Sequence, residues 1–425
     1  MNIVILHRIP FSKIRYDLAV DHTRHDVRYL CTGTTDGLPA GAHSRVLATP
    51  TTDVDALSAQ HADWLGNADR LIARSEYDLL PAAHLRARFG IPGDRPADIA
   101  PLRDKWLMRT RAAAAGIPQP AFWSVADFRR TPPIPTSTPT SIPASTSSAT
   151  ATSGATAGTY LIKPRLEASS TGIETGDVRA VLERLDRLGA EAAAEVFVEE
   201  FVPGEIWHLD GYLRGGTVRA ATCSVYVGDC LNFAFGSPLG SAQTPDEPAA
   251  LALLRRTLPV LGQRDGCFHF ELIRAGDGRF LFLETASRVG GAGVAETFEL
   301  RTGINLYQVD LAQQLFGEID EPPMRLSTDL YGWFVFPAHH DTDHATVDFD
   351  PHRFTGRLVS HVHNTRPAAK AGEISYAAAA TPLSGIVRGN ATDLRATLTE
   401  ICTRTTQQTQ TQTETETQPA VLEPV

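Results

Sequence analysis

A mixed α/β and α+β architecture is predicted by three observations. Apolar strand-like runs alternate with helical stretches over about the first hundred residues; a long segment then carries almost no apolar residue; and strand-rich sequence broken by glycine turns follows it. The run MNIVILHRIP reads as the first strand, with HDVRYLCTG and ADRLIARSE as later ones, so a small parallel unit is expected. Within PLRDKWLMRTRAAAAGIPQP a helix begins near Asp104, passes through good helix formers and stops at Gly116 before Pro118. Thr131 to Gly158 is almost wholly Thr, Ser, Pro, Ala and Gly, too poor in apolar groups to form a core, and reads as a disordered insertion. TYLIKPRLEASSTGIE resumes with a strand and a small-residue loop, DVRAVLERLDRLGAEAAA has helical periodicity, and EVFVEEFVPGEIWHLDGYLRGGTVRAATCSVY reads as strands turning at Arg214-Gly215-Gly216. DLYGWFVFPA and LSGIVRGNATDLRATLTEICT read as a closing strand-rich part ending in a helix, and TTQQTQTQTETETQ as a disordered tail.

Composition narrows the function. The chain has 425 residues and a formal net charge of −10, with no basic cluster, which argues against a dedicated nucleic-acid binder. MNIVILHRIPF is too short an apolar run for a signal peptide and lacks a small-residue cleavage site, so the expected location is the cytoplasm, with no membrane partner. Five dispersed cysteines with no CxxC pair argue against structural zinc or a disulfide framework. Only four of the 39 basic residues are lysines (Lys13, Lys105, Lys163, Lys370), in a chain that otherwise prefers arginine. Because a compact ammonium does not interchange with a planar guanidinium, Lys105 and Lys163 become candidates for phosphate contacts.

The segment CFHFELIRAGDGRFLFLETASR carries the sharpest signal. If Asp277-Gly278 is a two-residue hairpin turn, Glu271 faces Glu284 and His269 faces Ala286. Opposed like charges repel, with Cβ atoms only about 5 Å apart. A divalent cation between the two carboxylates turns that repulsion into a bridge. Arg288 follows, and then Gly290, Gly291 and Gly293, placing a fixed positive charge and a flexible turn beside any anion held through the metal. Ser169, Ser170, Thr171 and Gly172, after Lys163, are small enough to close over phosphates. Glu199, Glu200, Phe201 and Val202 end a β run whose edge can offer backbone groups and apolar side chains to a flat ring. HHDTDH reads as a solvated loop, Glu76 as a cleft residue or a helix cap, and neither a phosphate-binding P-loop nor a GxSxG elbow is present.

Taken in order, Lys105, Lys163 with its serine loop, the EEFV segment, Glu271 and the ETASR stretch resemble the ATP-grasp superfamily over roughly residues 1 to 320, specifically its carboxylate–amine ligases, including L-amino acid ligases. That resemblance implies an N-terminal Rossmann-like domain over 1–100 and a two-lobed ATP-binding module. Its small lobe would span 101–198, including the 131–158 insertion, and its large lobe 199–320, with the metal site. A C-terminal subdomain over 321–403 and a disordered tail over 404–425 complete the expected order. It further implies that Lys105 and Lys163 contact ATP phosphates, that Ser169, Ser170 and Gly172 belong to the flap over them, and that Glu199, Glu200, Phe201 and Val202 hold adenine. Glu271 and Glu284 would bind Mg2+ or Mn2+, and Arg288 would steady the phosphoryl group. Amide synthesis from a carboxylate and an amine, both small molecules and expected to be amino acids, is the implied activity. The alternatives are a non-amine acceptor, as in biotin carboxylase-like enzymes, and a nucleotide-binding module without catalysis. A homodimer is expected by analogy only. Two positions depart from the pattern: Ala286 stands where the superfamily usually has a metal-binding Asn, and Ile206 stands at the usual ribose-binding Glu, leaving Glu205 or His208 for the ribose.

Overall fold

A computed structural model describes residues 1–33, 35, 37–133, 158–317, 323–339, 347–368 and 374–416. The disordered reading of 134–157, most of HHDTDH and the last nine residues thus concern residues outside the described ones.

Three sheets organise the chain. β1 (Asn2–His7), β2 (Asp26–Cys31), β3 (His43–Val46) and β4 (Arg70–Ala73) form a parallel sheet in the order β3-β2-β1-β4. The continuous apolar run of β1, buried from Ile3 to His7, is what a parallel strand covered on both faces requires. β5 (Phe122–Ser124), β6 (Tyr160–Pro164), β7 (Glu174–Gly176) and β8 (Val196–Glu200) form a small antiparallel sheet in the order β5-β8-β6-β7. β9 (Gly204–Arg214), β10 (Thr217–Val227), β11 (Leu239–Thr244), β12 (Gly266–Ala275), β13 (Phe280–Ala286), β14 (Leu330–Val335), β15 (Leu358–His363) and β16 (Leu383–Gly389) make an eight-stranded antiparallel sheet, ordered β13-β12-β9-β10-β11-β14-β16-β15.

The expected helix after Asp104 runs Lys105–Ala114. The Asp104 carboxylate caps it by accepting from the Trp106 and Leu107 amides, and Gly116, at φ +65°, ends it. Its inner face joins the main core through Met108 and Ala112, against Phe270 and Phe282 of the large sheet and Leu254 and Leu258 of helix Pro248–Leu261. A second core ties the parallel sheet to the large one: Ile3, Ile5, Tyr29 and Ile72 pack with Phe298, Leu306, Leu311 and Cys267. The C-terminal helix runs Ala391–Glu416, so helix continues through much of the Thr/Gln/Glu tail expected to be disordered. Gln and Glu are good helix formers, and a helix already nucleated on the core can propagate through them.

The turn of the β12–β13 hairpin corrects the sequence reading. Its loop has three residues, Gly276 to Gly278, closed by the Ala275 amide on the Arg279 carbonyl at 2.9 Å and the Gly278 amide on the Ala275 carbonyl at 2.8 Å. Gly278 takes φ +83°, the left-handed position such a loop needs. Pairing is thereby displaced: Arg274 faces Phe280 and Leu272 faces Phe282. A bulge at Leu283 then displaces it back, so that Glu271 faces Glu284 and His269 faces Ala286 after all.

Candidate active site

β9, β12 and β13 lie side by side, and their register builds one block of polar residues. His208 pairs with Glu271 and Glu271 with Glu284; Asp210 pairs with His269 and His269 with Ala286. Directly opposed residues share a face, and residues two apart share it too, so all six positions project together.

Above this block opens a cleft of about 990 Å3. Of the sequence-derived candidates, Lys105, Lys163, Ser169, Ser170, Glu199, Glu200, Phe201, Val202, Glu205, Glu271 and Glu284 line it. Gly172, His208 and Arg288 do not. Gly172 has φ +71°, and a Cβ there would come within 3.0 Å of the Pro164 ring. His208 is buried, its Nδ1 bonded to Asp210 at 2.5 Å and its Nε2 to Ser241 at 2.6 Å. With both ring nitrogens committed inside the sheet, the ribose alternative for His208 is withdrawn. Glu205 does reach the cleft, held by Arg395 of the C-terminal helix at 2.6 Å. Arg288 pairs with Glu76, which also accepts from Arg103 at 2.8 Å, so Glu76 bridges two arginines rather than capping a helix. Burial opposes ionisation of Glu76, but Arg288 and Arg103 outweigh it and lower its pKa.

The flap is drawn toward the cleft by cations. Arg103 donates to the Leu166 carbonyl at 2.6 Å and Lys105 to the Glu167 carbonyl at 2.5 Å, while Ser169 bonds Tyr376. Ser169 and Ser170 both adopt left-handed backbone, at φ +56° and +57°, an uncommon conformation for residues with side chains and one that concentrates at functional loops. Lys163 meets Glu199 at 3.1 Å, and Glu199, 1% exposed, is paired on its other side with Arg109.

Glu271 and Glu284 experience different surroundings. The Tyr226 hydroxyl donates to Glu271 at 2.9 Å, and His269 Nε2 lies 3.3 Å from the same oxygen. Glu284 has Lys105 at 3.7 Å. Burial raises its pKa, but Lys105, Lys163 and Arg109 more than compensate and bring it down to about 2, so it stays ionised. Two opposed carboxylates on a cleft wall, one ionised well below neutrality and the other oriented by a tyrosine, fit a hard divalent cation. Ala286 offers no ligand atom. The His269 side chain is only 12% exposed, which disfavours its charged form, yet Asp210 at 2.7 Å together with Glu271 overcomes this and lifts its pKa to about 10.

Sequence reasoning missed Asp210, Tyr226 and the contribution of Arg395, Thr399 and Cys402 from the C-terminal helix to the cleft wall. The alternation His208-x-Asp210 was a usable sign that both share a face. Arg395 lies 190 positions from Glu205, and no local pattern links them.

An L-amino acid ligase from Bacillus licheniformis superposes with a TM-score of 0.68, covering 94% of this chain and 95% of that one, at 16% identity. The chain has the ATP-grasp fold. Further matches to this ATP-grasp architecture are a phosphoribosylglycinamide synthetase from Anaerococcus prevotii (TM-score 0.61, 11% identity, 95% and 98% covered) and a carboxyaminoimidazole ribonucleotide synthase from Aspergillus clavatus, solved with ATP (0.60, 12%, 95% and 98%). By sequence, the ATP-grasp chain is 23% identical over 283 residues to an L-arginine-specific L-amino acid ligase of Bacillus subtilis, and the match spans 65% of either protein. No family model matches the chain. No helix among the described residues is long and apolar enough to cross a membrane.

Proposed function

We propose that the chain is an ATP-dependent carboxylate–amine ligase. The observation that carries this reading is the convergence, in one cleft, of Lys105 and Lys163 with the opposed Glu271 and Glu284. Phosphoryl transfer asks a protein mainly for alignment and neutralised charge. Lys105 and Lys163 supply cations to the phosphates, and the segment Phe201 to Gly204 offers apolar walls and backbone to adenine. Glu205, the remaining ribose candidate, is steadied by Arg395. Glu271 and Glu284 would hold Mg2+, whose charge offsets that of the phosphates. Arg288 is close to the Glu284 strand end and, once released from Glu76, carries a guanidinium suited to a transferred phosphoryl group.

In this reading a substrate carboxylate attacks the γ-phosphorus of ATP, the bond to the β–γ bridging oxygen breaks, and ADP leaves an acyl phosphate behind. An amine then attacks the acyl carbon, phosphate departs, and loss of the amine proton leaves an amide. The flap, tied to Arg103 and Lys105, excludes water from the acyl phosphate. Amino acids are the substrates this proposal favours, because the B. subtilis and B. licheniformis proteins are both named amino acid ligases.

The test is phosphate release from ATP and Mg2+ over a pairwise amino acid panel that includes arginine, with bicarbonate as a non-amine acceptor and Glu284→Gln as control. Phosphate released only with particular pairs, with a product whose mass is their sum less water, establishes the ligase. Release driven by bicarbonate alone, or tight ATP binding without turnover on any pair, overturns it.

A further inference from the structure

The ligase reading leaves Ala286 unexplained, and this inference rests on that reading's assignment of Glu271 and Glu284 to a cation. We propose that His269, through Nε2, is the third protein ligand of that cation and takes over the contact that an alanine at 286 cannot make.

His269 is the residue directly opposite Ala286 and lies two positions before Glu271, so it shares their face. The small alanine methyl leaves that part of the face to the imidazole. Orientation follows from a chain of bonds: Ser241 to His208 Nε2 at 2.6 Å, His208 Nδ1 to Asp210 at 2.5 Å, and Asp210 to His269 Nδ1 at 2.7 Å. A carboxylate fixing one ring nitrogen so that the other faces a cation is how proteins habitually hold a metal-binding imidazole. Here the other nitrogen faces Glu271, at 3.3 Å. Two ligands at right angles on one ion, with bonds of about 2.1 Å, stand about 3 Å apart. The observed spacing therefore needs almost no movement to become a chelate once the cation displaces the Nε2 proton that Glu271 now accepts.

The far side of the ring is closed. A Cβ on Gly290 would come within 2.9 Å of His269 Nδ1 and 2.7 Å of Asp210 Oδ1, so the glycine backbone packs against this edge. Nε2 is left as the edge directed at Glu271, which itself lines the cleft. A group of His208, Asp210 and His269 ligand atoms also lies within 4.8 Å of one another, but His208 is committed to Ser241 and Asp210 to both rings. Asp210 and His208 are thus positioning residues, and His269 is the ligand. A nitrogen donor in place of an amide oxygen moves metal preference from Mg2+ toward Mn2+ or Co2+.

The experiment titrates Mn2+ into the full-length protein with β,γ-methylene ATP, which has no nitrogen near the phosphates, and records pulsed electron paramagnetic resonance. The expected spectrum shows directly bound histidine nitrogen, identified by 15N-histidine labelling in a protein that carries no substitution. His269→Ala is expected to abolish that coupling and weaken Mn2+ binding about 10- to 100-fold. Adding Ala286→Asn to that variant is expected to restore affinity without restoring the coupling. Mn2+ bound by the unsubstituted protein with no histidine coupling overturns the assignment of His269 alone. Failure of that protein to bind Mn2+ with the nucleotide overturns the cation reading beneath it, and the assignment with it.

Discussion

Glu199 and Glu284 are both carboxylates on the same cleft wall, each near a lysine, yet they stand in opposite electrostatic situations. Glu199 is enclosed between Lys163 and Arg109, so its charge is more than matched by side chains of the protein itself. Glu284 faces a second carboxylate across the hairpin, and its lysine stands 3.7 Å away. The first arrangement closes on itself; the second leaves negative charge for something from outside. A functional carboxylate is recognised by charge the fold leaves unmatched, since the proximity of an acid and a base is common to both.

The difference can be broken in order of expected effect. Glu284→Gln should lower phosphate release by on the order of 10^3-fold, since a metal ligand acts on several kcal/mol of transition-state charge, while leaving the fold intact by circular dichroism. Glu199→Ala should do the reverse in kind: it strands two buried cations and should cost about 3–5 kcal/mol of stability, read by urea denaturation. A fully stable Glu199→Ala protein would show that the enclosed cluster is not structural.

Acid sharpens the same contrast. The folded Glu284 has a pKa near 2 against an ordinary carboxylate value of 4.5, so its contribution to stability is present above pH 4.5 and is lost as pH falls toward 2. The unliganded protein should accordingly exceed Glu284→Gln in melting temperature by a margin that grows from pH 2 to 4.5 and then levels. The corresponding difference in unfolding free energy should stay below about 3 kcal/mol, because water screens a side chain that is 32% exposed. The smallest effect is expected from Arg395→Ala: its pair with Glu205 is 48% and 39% exposed, worth under about 1 kcal/mol. Stability should barely change, and KM for ATP should rise a few-fold with kcat unaltered.

The hairpin shows how much of this was legible. Opposition of Glu271 and Glu284 followed from assuming a two-residue turn, whereas the chain has a three-residue loop and a bulge whose displacements cancel. A local turn signal reads which strands pair and roughly where. Bulges depend on twist and on packing against β9, which no pentapeptide encodes. The cleft-lining candidates from Lys105 to Glu284 carried sequence signs because each sits in a local motif, a strand end, a small-residue loop or a hairpin. His208 had the right polarity in the right neighbourhood, but which way a strand residue points was decided by its partners on β10 and β12.

Sequence alone determined the kind of chemistry available: two rare lysines, a serine loop and two facing acids in order along the chain, together with the alternation of strands and helices that builds the scaffold. These are local properties, expressed by composition and period. Tertiary structure decided which charges are satisfied and which remain open. It paired Lys163 with Glu199 and Arg288 with Glu76, brought Arg395 from the far end of the chain onto Glu205, and stacked Ser241, His208, Asp210 and His269 into one hydrogen-bonded line toward Glu271. The physical reason is that electrostatic compensation acts through space over a few ångströms, between residues that chain separation does not connect.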